Sequence, residues 1–272
     1  MRKYASGIYL GIIFAILYIP ILTLILFSFN SSESTAVVTG FDLRWYIELF
    51  NSPETFVALR NTLILAVLSA LISTVIGTAA AEGIYRMRSK LTKTVIESVT
   101  NIPMMNPDIV TGMSMMLFFV AVAGIIGVTY EDMGFTAMLI SHVTFCRPYV
   151  ILAVHPRINE RGNSLSEAAL DLGCTPIQAF FKVKLPNIMP GVLSGMIMAF
   201  TMSLDDFVIS YFVGSSTFQT LPLLIYSMTK KKVTPDMYAL SSLIVVTIFI
   251  LLVISNVKSG KKFEKKNGGA RK

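Results

Sequence analysis

The chain has 272 residues, of which 54% are hydrophobic and only 14% charged, with a net charge of +7 and a mean hydropathy of +0.68. A soluble domain carries about a quarter charged residues, so this chain has too little polar surface to cover a water-soluble globule. Most of it must lie in a lipid bilayer, where the backbone has to satisfy its own hydrogen bonds. We therefore predict an all-α integral membrane protein with about six transmembrane helices.

Six apolar segments approach or exceed the ~20 residues that a span of the hydrocarbon core requires. They are residues 8–29, 56–81, 96–123, 134–154, 189–213 and 238–257. Polar residues and prolines between Asn101 and Asp108 interrupt the third segment, which is therefore either kinked or begins later, after a surface segment. The first segment is too long for the apolar part of a cleavable signal, and we interpret it as a spanning helix that also targets the chain to the membrane.

The positive charges predict the orientation. With the N-terminus inside, seventeen of the 23 Lys and Arg residues lie on the inner side and five on the outer side, with Arg147 inside the fourth span. Because cytoplasmic loops are enriched in Lys and Arg, both termini are predicted to be cytoplasmic, and the basic balance needs no nucleic-acid partner. The outer triplet Lys230, Lys231 and Lys232 fits this topology least well.

The domain organisation follows from the same pattern. Residues 1–257 form one predicted membrane domain, and residues 258–272 form a Lys-rich tail. We expect this tail to be disordered and held near anionic membrane lipid by its charge.

Motifs of catalytic or metal chemistry are missing from the sequence. Cys146 and Cys174 have neither metal-ligand spacing nor a secreted disulfide pattern. The chain contains no Gly-x-Ser-x-Gly or His-Glu-x-x-His motif and no phosphate-binding Gly-rich loop ending in Lys. We therefore expect no catalytic residue, metal site or cofactor on this chain, and any ATP chemistry must belong to a partner.

The segment between the fourth and fifth spans, residues 154–189, is too long for a simple connector. Ser164 or Ser166 is a suitable N-cap for a short helix with Glu167 in its first turn. Gly173 suits the left-handed residue that ends such a helix. Pro176 suits the first turn of a second helix, and Pro186 would end it before the fifth span. We therefore predict that residues 156–188 form a cytoplasmic helix–turn–helix to which another protein can bind. This segment is called the Glu-Ala-Ala loop below.

This loop resembles the signature of the permease subunits of binding-protein-dependent, type I ABC importers. That signature is Glu-Ala-Ala, three residues, Gly, nine residues and then Ile-x-Leu-Pro. Val183 stands at the isoleucine position, and the residues that match are Glu167, Ala168, Ala169, Gly173, Leu185 and Pro186. In the family this loop docks into a cleft of the ATPase subunit. The resemblance thus implies the type I permease fold, assigns these residues to ATPase coupling, and places ATP and Mg²⁺ on the partner.

Most of the chain is similar to the spermidine/putrescine permeases of the PotC type within that family. The likeness rests on residues 18–20 with 28–31, and on residues 106–110, 141–146, 200–206 and 221–228. Asn106 and the Lys triplet depart from the pattern. The resemblance implies a permease of the bacterial cytoplasmic (inner) membrane that lines half of a polyamine pathway. Its implied partners are an ATPase dimer, a second homologous (PotB-like) permease and an extracytoplasmic polyamine-binding protein.

Three aspartates lie inside predicted spans, where ionisable side chains are unfavourable and therefore functional candidates. Asp108 is expected about twelve residues into the third span and near mid-membrane, at about 1.5 Å per residue. Asp206 continues a stripe of small and polar residues that includes Gly195, Ala199, Ser203 and Ser210, whereas Asp205 lies on a bulkier face. A polycation in a low-dielectric region needs compensating negative charge. We therefore predict a substrate pathway of Asp206, Asp108 and Asp205, with Tyr211 offering a π face to an ammonium group.

Several alternatives remain open at this point. The stripe of small residues is also typical of a close helix-packing face. The aspartates can instead pair within the protein, with Arg147 or more weakly with His142. The same importer class carries other cargo, such as ferric ion, thiamine or opines. An ion-coupled carrier or channel would explain the spans and the aspartates but not the Glu-Ala-Ala loop, and a copurifying ATPase would discriminate between the two classes.

Overall fold

The computed structural model of the protein describes residues 2–32, 37, 39–106, 108–230 and 237–247. Helices dominate these residues. They are α1 (Arg2–Phe27), α2 (Arg44–Asn51), α3 (Pro53–Arg86), α4 (Lys90–Met105), α5 (Asp108–Ile126), α6 (Tyr130–Asp171), α7 (Pro176–Ala179), α8 (Leu185–Leu204), α9 (Val208–Val213), α10 (Leu221–Lys230) and α11 (Met237–Thr247). A π-helical turn, Phe180–Lys184, joins α7 to α8 without interruption.

Within the described residues, five helical segments are long and apolar enough to cross a membrane. They are Tyr9–Phe27, Pro53–Arg86, Asp108–Ile126, Tyr130–Ile158 and Pro176–Leu204. The all-α membrane architecture is therefore confirmed. The apolar helix α11 covers the beginning of the predicted sixth span, residues 238–257, and the rest of that span lies outside the described residues. Lys231, Lys232 and the basic tail, residues 258–272, also lie outside them.

The third span begins later than the hydropathy of residues 96–123 suggests. The helix α4 ends at Met105, the next residue, Asn106, has an extended backbone (φ −85°, ψ 139°), and α5 begins at Asp108. A proline disfavours helical backbone in the residue before it, and Pro107 follows Asn106 in the sequence. The side chains of α4 are exposed or half-buried, as in a surface segment. Asp108 is consequently the first residue of the crossing helix, and its predicted position twelve residues into the span is wrong.

The chain divides into two compact units, one formed by residues up to Phe56 and from Leu224, the other by Val57–Leu223. In the first unit a polar network ties the end of α1 to α2 and α11. The Trp45 indole N–H donates to the Asn30 carbonyl oxygen at 2.7 Å. The Tyr46 hydroxyl lies 2.7 Å from both the Ser28 and the Ser242 hydroxyl oxygens. The predicted single domain over residues 1–257 stays a prediction.

The core of the second unit is a close packing of α3, α6 and α8 around Val150, which is fully buried. A Cβ atom added to Gly77 on α3 would lie 2.8 Å from the Val150 side chain. One added to Gly195 on α8 would lie 3.1 Å from the Val150 Cα. Small residues in membrane helices permit this approach of backbones. The stripe through Gly195, Ala199 and Ser203 is therefore buried as a helix-packing face.

The fifth span also differs from its prediction, residues 189–213, because the helix breaks at the aspartates. The helix α8 ends at Leu204, Asp205 has non-helical backbone angles (φ −99°, ψ 1°), and α9 starts at Val208. The stripe of small residues thus does not run on through Asp206 in one helix. At its N-terminal end the helix is longer than predicted, since Pro186 lies in the first turn of α8 and does not end it. The π turn Phe180–Lys184 precedes Pro186 and widens the helix there, next to a proline that has no backbone N–H to donate.

Candidate functional site

The Glu-Ala-Ala loop is built from the end of α6, a tight turn and α7. The helix α6 continues unbroken to Asp171, so the predicted caps at Ser164 and Ser166 are wrong. No glycine or proline follows Ser164 before Gly173, and the Glu-Ala-Ala-Leu run favours helix. Gly173 is confirmed as the left-handed residue, with φ +87°. Behind it the Cys174 N–H donates to the Ala169 carbonyl oxygen at 3.0 Å, as at a Schellman helix end.

The second arm of the loop begins with a capping box. The Thr175 hydroxyl oxygen accepts from the Gln178 N–H at 3.3 Å, and the Gln178 side chain accepts from the Thr175 N–H at 3.2 Å. Pro176 is the first helical residue, as predicted. Glu167 and Ala168 are exposed on one arm, whereas Ala169 is buried. The turn therefore joins α6 to α7 as a preformed element with exposed residues on its first arm.

The second feature is the break between α8 and α9, which the Asp206 carboxylate stabilises. Its Oδ1 accepts from the Ile209 N–H at 3.3 Å, and its Oδ2 accepts from the Ser210 N–H at 2.9 Å and the Ser210 hydroxyl at 3.0 Å. The N–H groups in the first turn of α9 have no carbonyl acceptor within the helix. The Asp206 carboxylate accepts from two of them, as an N-cap side chain does. Only 6% of the Asp206 side chain is exposed.

A buried chain of hydrogen bonds extends from this break to α6 and α3. His142 Nδ1 lies 2.8 Å from the Ser203 hydroxyl, and His142 Nε2 lies 3.3 Å from the Ser210 hydroxyl and 3.5 Å from Asp206 Oδ2. The Ser69 hydroxyl on α3 donates to Ser203 at 2.8 Å. A neutral imidazole protonated at Nε2 satisfies the whole chain, because Ser203 then donates to Nδ1 and Nε2 donates toward Asp206. We call these five residues the break network.

The other predicted pathway residues stay on the surface of this chain. Asp205 and Asp108 are exposed, and Tyr211 on α9 is 44% exposed. One turn after Asp108, Gly112 packs against Phe212, where an added Cβ would lie 3.0 Å from the ring. The helix that begins at Asp108 therefore lies directly against α9. The two adjacent aspartates differ sharply, since Asp206 is held inside and Asp205 is free to meet another molecule.

The alternative pairing with Arg147 is wrong for this structure. The Arg147 side chain is exposed, and within the described part of the chain it forms no ion pair with the three aspartates. His142 is the neighbour of Asp206 instead. It lies on α6, 64 positions earlier in the sequence, and the register between two antiparallel helices has no local sequence signal. Ser69 and Ser203 escaped prediction as network members for the same reason.

A known protein family matches the part of the chain that contains both the Glu-Ala-Ala loop and the α8–α9 break. The sequence profile described as "Binding-protein-dependent transport system inner membrane component" matches residues 73–258, which include the Glu-Ala-Ala loop and all three aspartates. The chain belongs to this family. It is a multi-pass permease component of an ABC importer of the inner membrane and not the ATPase itself.

Two relatives from Escherichia coli K12 cover most of this permease. The putrescine transport system permease protein PotI is 39% identical over 238 residues, which are 88% of this chain and 84% of PotI. The spermidine/putrescine transport system permease protein PotC is 36% identical over 265 residues, 97% of each chain. The sequence-based identification of the family is confirmed.

Solved structures confirm the type I importer permease fold. A chain of a bacterial ABC transporter that imports the acidic polysaccharide alginate matches with a TM-score of 0.76 at 18% identity, covering 96% of this permease and 95% of that chain. The methionine transporter MetNI, in an inward-facing conformation, matches with a TM-score of 0.60 at 22% identity, covering 75% of this permease and 94% of that chain. These likenesses concern the fold alone.

Proposed function

We propose that this permease carries polyamines, spermidine or putrescine, and that exposed carboxylates at the start of α5 and at the α8–α9 break receive their ammonium groups. The exposure of Asp205 beside the buried Asp206 carries the proposal, because it leaves one carboxylate available to cargo. The names of the relatives PotI and PotC support a polyamine over ferric ion, thiamine or an opine. An ammonium group in a low-dielectric region requires such a charge partner.

The predicted pathway residues have different proposed roles. Asp205 and Asp108 compensate cargo charge, and Tyr211 offers its ring to an ammonium group. Asp206 was the first candidate for cargo binding because it continues the stripe of small residues. In the structure it instead stabilises the α8–α9 break through Ser210 and His142. Each contact with cargo must be weak, since tight pairing would trap a polycation midway.

The proposed assembly contains four kinds of subunit. This chain supplies half of the pathway, and a second homologous permease supplies the rest. An ATPase dimer, which holds the ATP and Mg²⁺, docks on the Glu-Ala-Ala loop, and an extracytoplasmic polyamine-binding protein delivers the cargo. A solved alginate transporter in complex with a periplasmic protein, related in fold to this chain, supports the last partner. Both termini face the cytoplasm, as the distribution of Lys and Arg favours.

The experiment is uptake of labelled putrescine into proteoliposomes that contain the full complex with its binding protein. We expect saturable uptake that requires ATP on the ATPase side and is competed by unlabelled spermidine. Thiamine, ferric ion and an opine serve as competitors for the alternative cargoes. Competition by one of these without competition by spermidine would overturn the polyamine assignment and leave the importer class intact.

Coupling to the ATPase gives a separate prediction. Glu167→Ala removes an exposed charge from the docking arm, and Gly173→Val forces a branched residue into φ +87°, which disfavours the turn by about 1–2 kcal/mol. Coupling energies of 1–3 kcal/mol correspond to about fivefold or more, and we expect cargo-stimulated ATP hydrolysis to fall by at least that factor in both variants. Ser166→Ala is the matched control and should hydrolyse ATP like the wild type, because Ser166 caps no helix. Normal stimulation in both loop variants would remove the loop from the mechanism.

A further inference from the structure

We propose that the buried ion pair between Glu82 on α3 and Lys184 in the π turn is the positioning contact through which the Glu-Ala-Ala loop moves α3. The inference rests on the proposed coupling function of the loop. It concerns two residues that the sequence patterns did not single out. Lys184 counted only as one more inner positive charge, and Glu82 lies one residue beyond the predicted second span, residues 56–81.

The geometry of the pair is close and enclosed. Lys184 Nζ donates to Glu82 Oε1 at 2.8 Å and lies 2.7 Å from Oε2. Arg86, one turn further along α3, donates from Nε to the same Oε1 at 2.6 Å. The Lys184 ammonium also lies 4.6 Å from the centroid of the Tyr85 ring. The Lys184 side chain is 3% exposed and the Glu82 side chain 11% exposed.

The π turn explains why this lysine points inward. The turn Phe180–Lys184 has one extra residue compared with an α-helical turn, and such turns often occur at functional positions. Within it Lys182 is exposed, whereas Lys184 is buried against α3. Lys184 directly precedes Leu185 and Pro186 of the family signature, so the contact sits at the inner end of the second loop arm.

Such a contact joins two elements mechanically. Lysine and glutamate are almost never buried unless paired. Separating this pair would leave the buried Lys184 ammonium without a counter-charge, whereas Glu82 would keep its bond to Arg86. A movement of the loop arm at Lys184 is therefore expected to carry the end of α3 with it, because opening the pair is strongly unfavourable. A flexible surface pair would transmit nothing, since water would replace either partner.

The helix α3 then leads to the break. From Glu82 it runs without interruption to Ser69, thirteen residues or about 20 Å away. There the Ser69 hydroxyl donates to Ser203 in the break network. The ion pair and the break network thus lie at two levels of one continuous helix. This placement offers a route from the ATPase-docking loop to the aspartates that is separate from α8 itself.

The test compares Lys184→Met and Glu82→Gln with the charge-exchanged double variant, Glu82→Lys with Lys184→Glu, in the full complex. Lys182→Met is the matched control from the same turn. We expect the single variants to hydrolyse ATP at the wild-type basal rate while polyamine uptake per ATP falls about tenfold. The exchanged variant should recover part of that ratio, because it restores the pair but brings a second positive charge next to Arg86. Lys182→Met should match the wild type. Wild-type coupling in both single variants would overturn the proposal.

A purely structural brace is distinguished by two further readouts. A brace predicts that uptake, ATP hydrolysis and thermal stability of the complex fall together, and that result would overturn the proposal. Hydrogen exchange with ATP and vanadate requires no cargo and therefore separates this inference from the polyamine assignment. In the wild type, trapping should change protection in residues 176–184 and 78–86 together. In Lys184→Met, trapping should change protection only in residues 176–184. If residues 78–86 of this variant still changed protection as in the wild type, the inference would be contradicted, even if uptake of polyamines is never observed.

Discussion

Gly195→Leu is expected to destabilise the permease strongly. The Cβ atom alone would lie 3.1 Å from the Val150 Cα and 3.3 Å from the Ala153 Cβ, so the larger side chain has no space between α8 and α6. Overpacking of a close-packed core disfavours folding by about 1–3 kcal/mol, and occasionally more. We expect the upper end here, because backbone and not a flexible side chain is in the way. Gly77→Leu should behave alike, since Val150 also blocks that position at 2.8 Å.

The measurement is the melting temperature and the yield of the purified complex. Gly124→Leu on α5 is the control, because a Cβ added there has no atom of the described residues within 4 Å. Gly195→Ala should fall between the wild type and Gly195→Leu. If Gly195→Leu and Gly124→Leu gave equal yield and equal melting temperatures, the packing of α3, α6 and α8 described above would be incorrect.

Asp206→Ala is expected to lower stability far more than Asp205→Ala, although the two residues are adjacent. Removing the Asp206 carboxylate leaves the buried Ser210 N–H without its acceptor, which disfavours folding by about 1–3 kcal/mol, and it also removes a helix cap. Asp205 is exposed, and it contributes a backbone bond to Thr201 that alanine keeps. We therefore expect Asp205→Ala within about 0.5 kcal/mol of the wild type, as for most surface changes.

Thermal unfolding of the complex in detergent compares the two. Asp206→Asn is an informative third variant, since its amide oxygen can still accept one N–H of α9 and should recover part of the stability. Equal melting temperatures for Asp205→Ala and Asp206→Ala would contradict the assignment of Asp206 to the break network and restore the view that both aspartates face the pathway.

The sequence predicted those features that local chemistry decides. Gly173 and Pro176 mark the turn because a left-handed residue and a first-turn proline have strong residue preferences. The apolar runs predicted the spans because length and hydropathy are sufficient. The family signature in the Glu-Ala-Ala loop was recognisable because it consists of a few residues at fixed spacing.

Features decided by competition or by register were not predictable. At Asp205 and Asp206 an unbroken helix and a capped break are both compatible with the apolar run, and the carboxylate bonds to Ser210 decide between them. His142 meets Ser203 in the register at which α6 packs against α8, where Val150 lies against Gly195. The burial of Lys184 likewise depends on a π turn that no local residue preference indicates.

The central claim is that Asp205 and Asp108 serve the cargo, and uptake by assembled Asp205→Asn and Asp108→Asn complexes tests it most directly. Each variant keeps the size of the side chain and removes its charge, and the loss of one charge contact of about 1.4 kcal/mol corresponds to tenfold. We predict that kcat/KM for labelled putrescine falls at least about tenfold in both variants, with basal ATP hydrolysis and melting temperature unchanged. Uptake at the wild-type rate in both assembled variants would contradict the account.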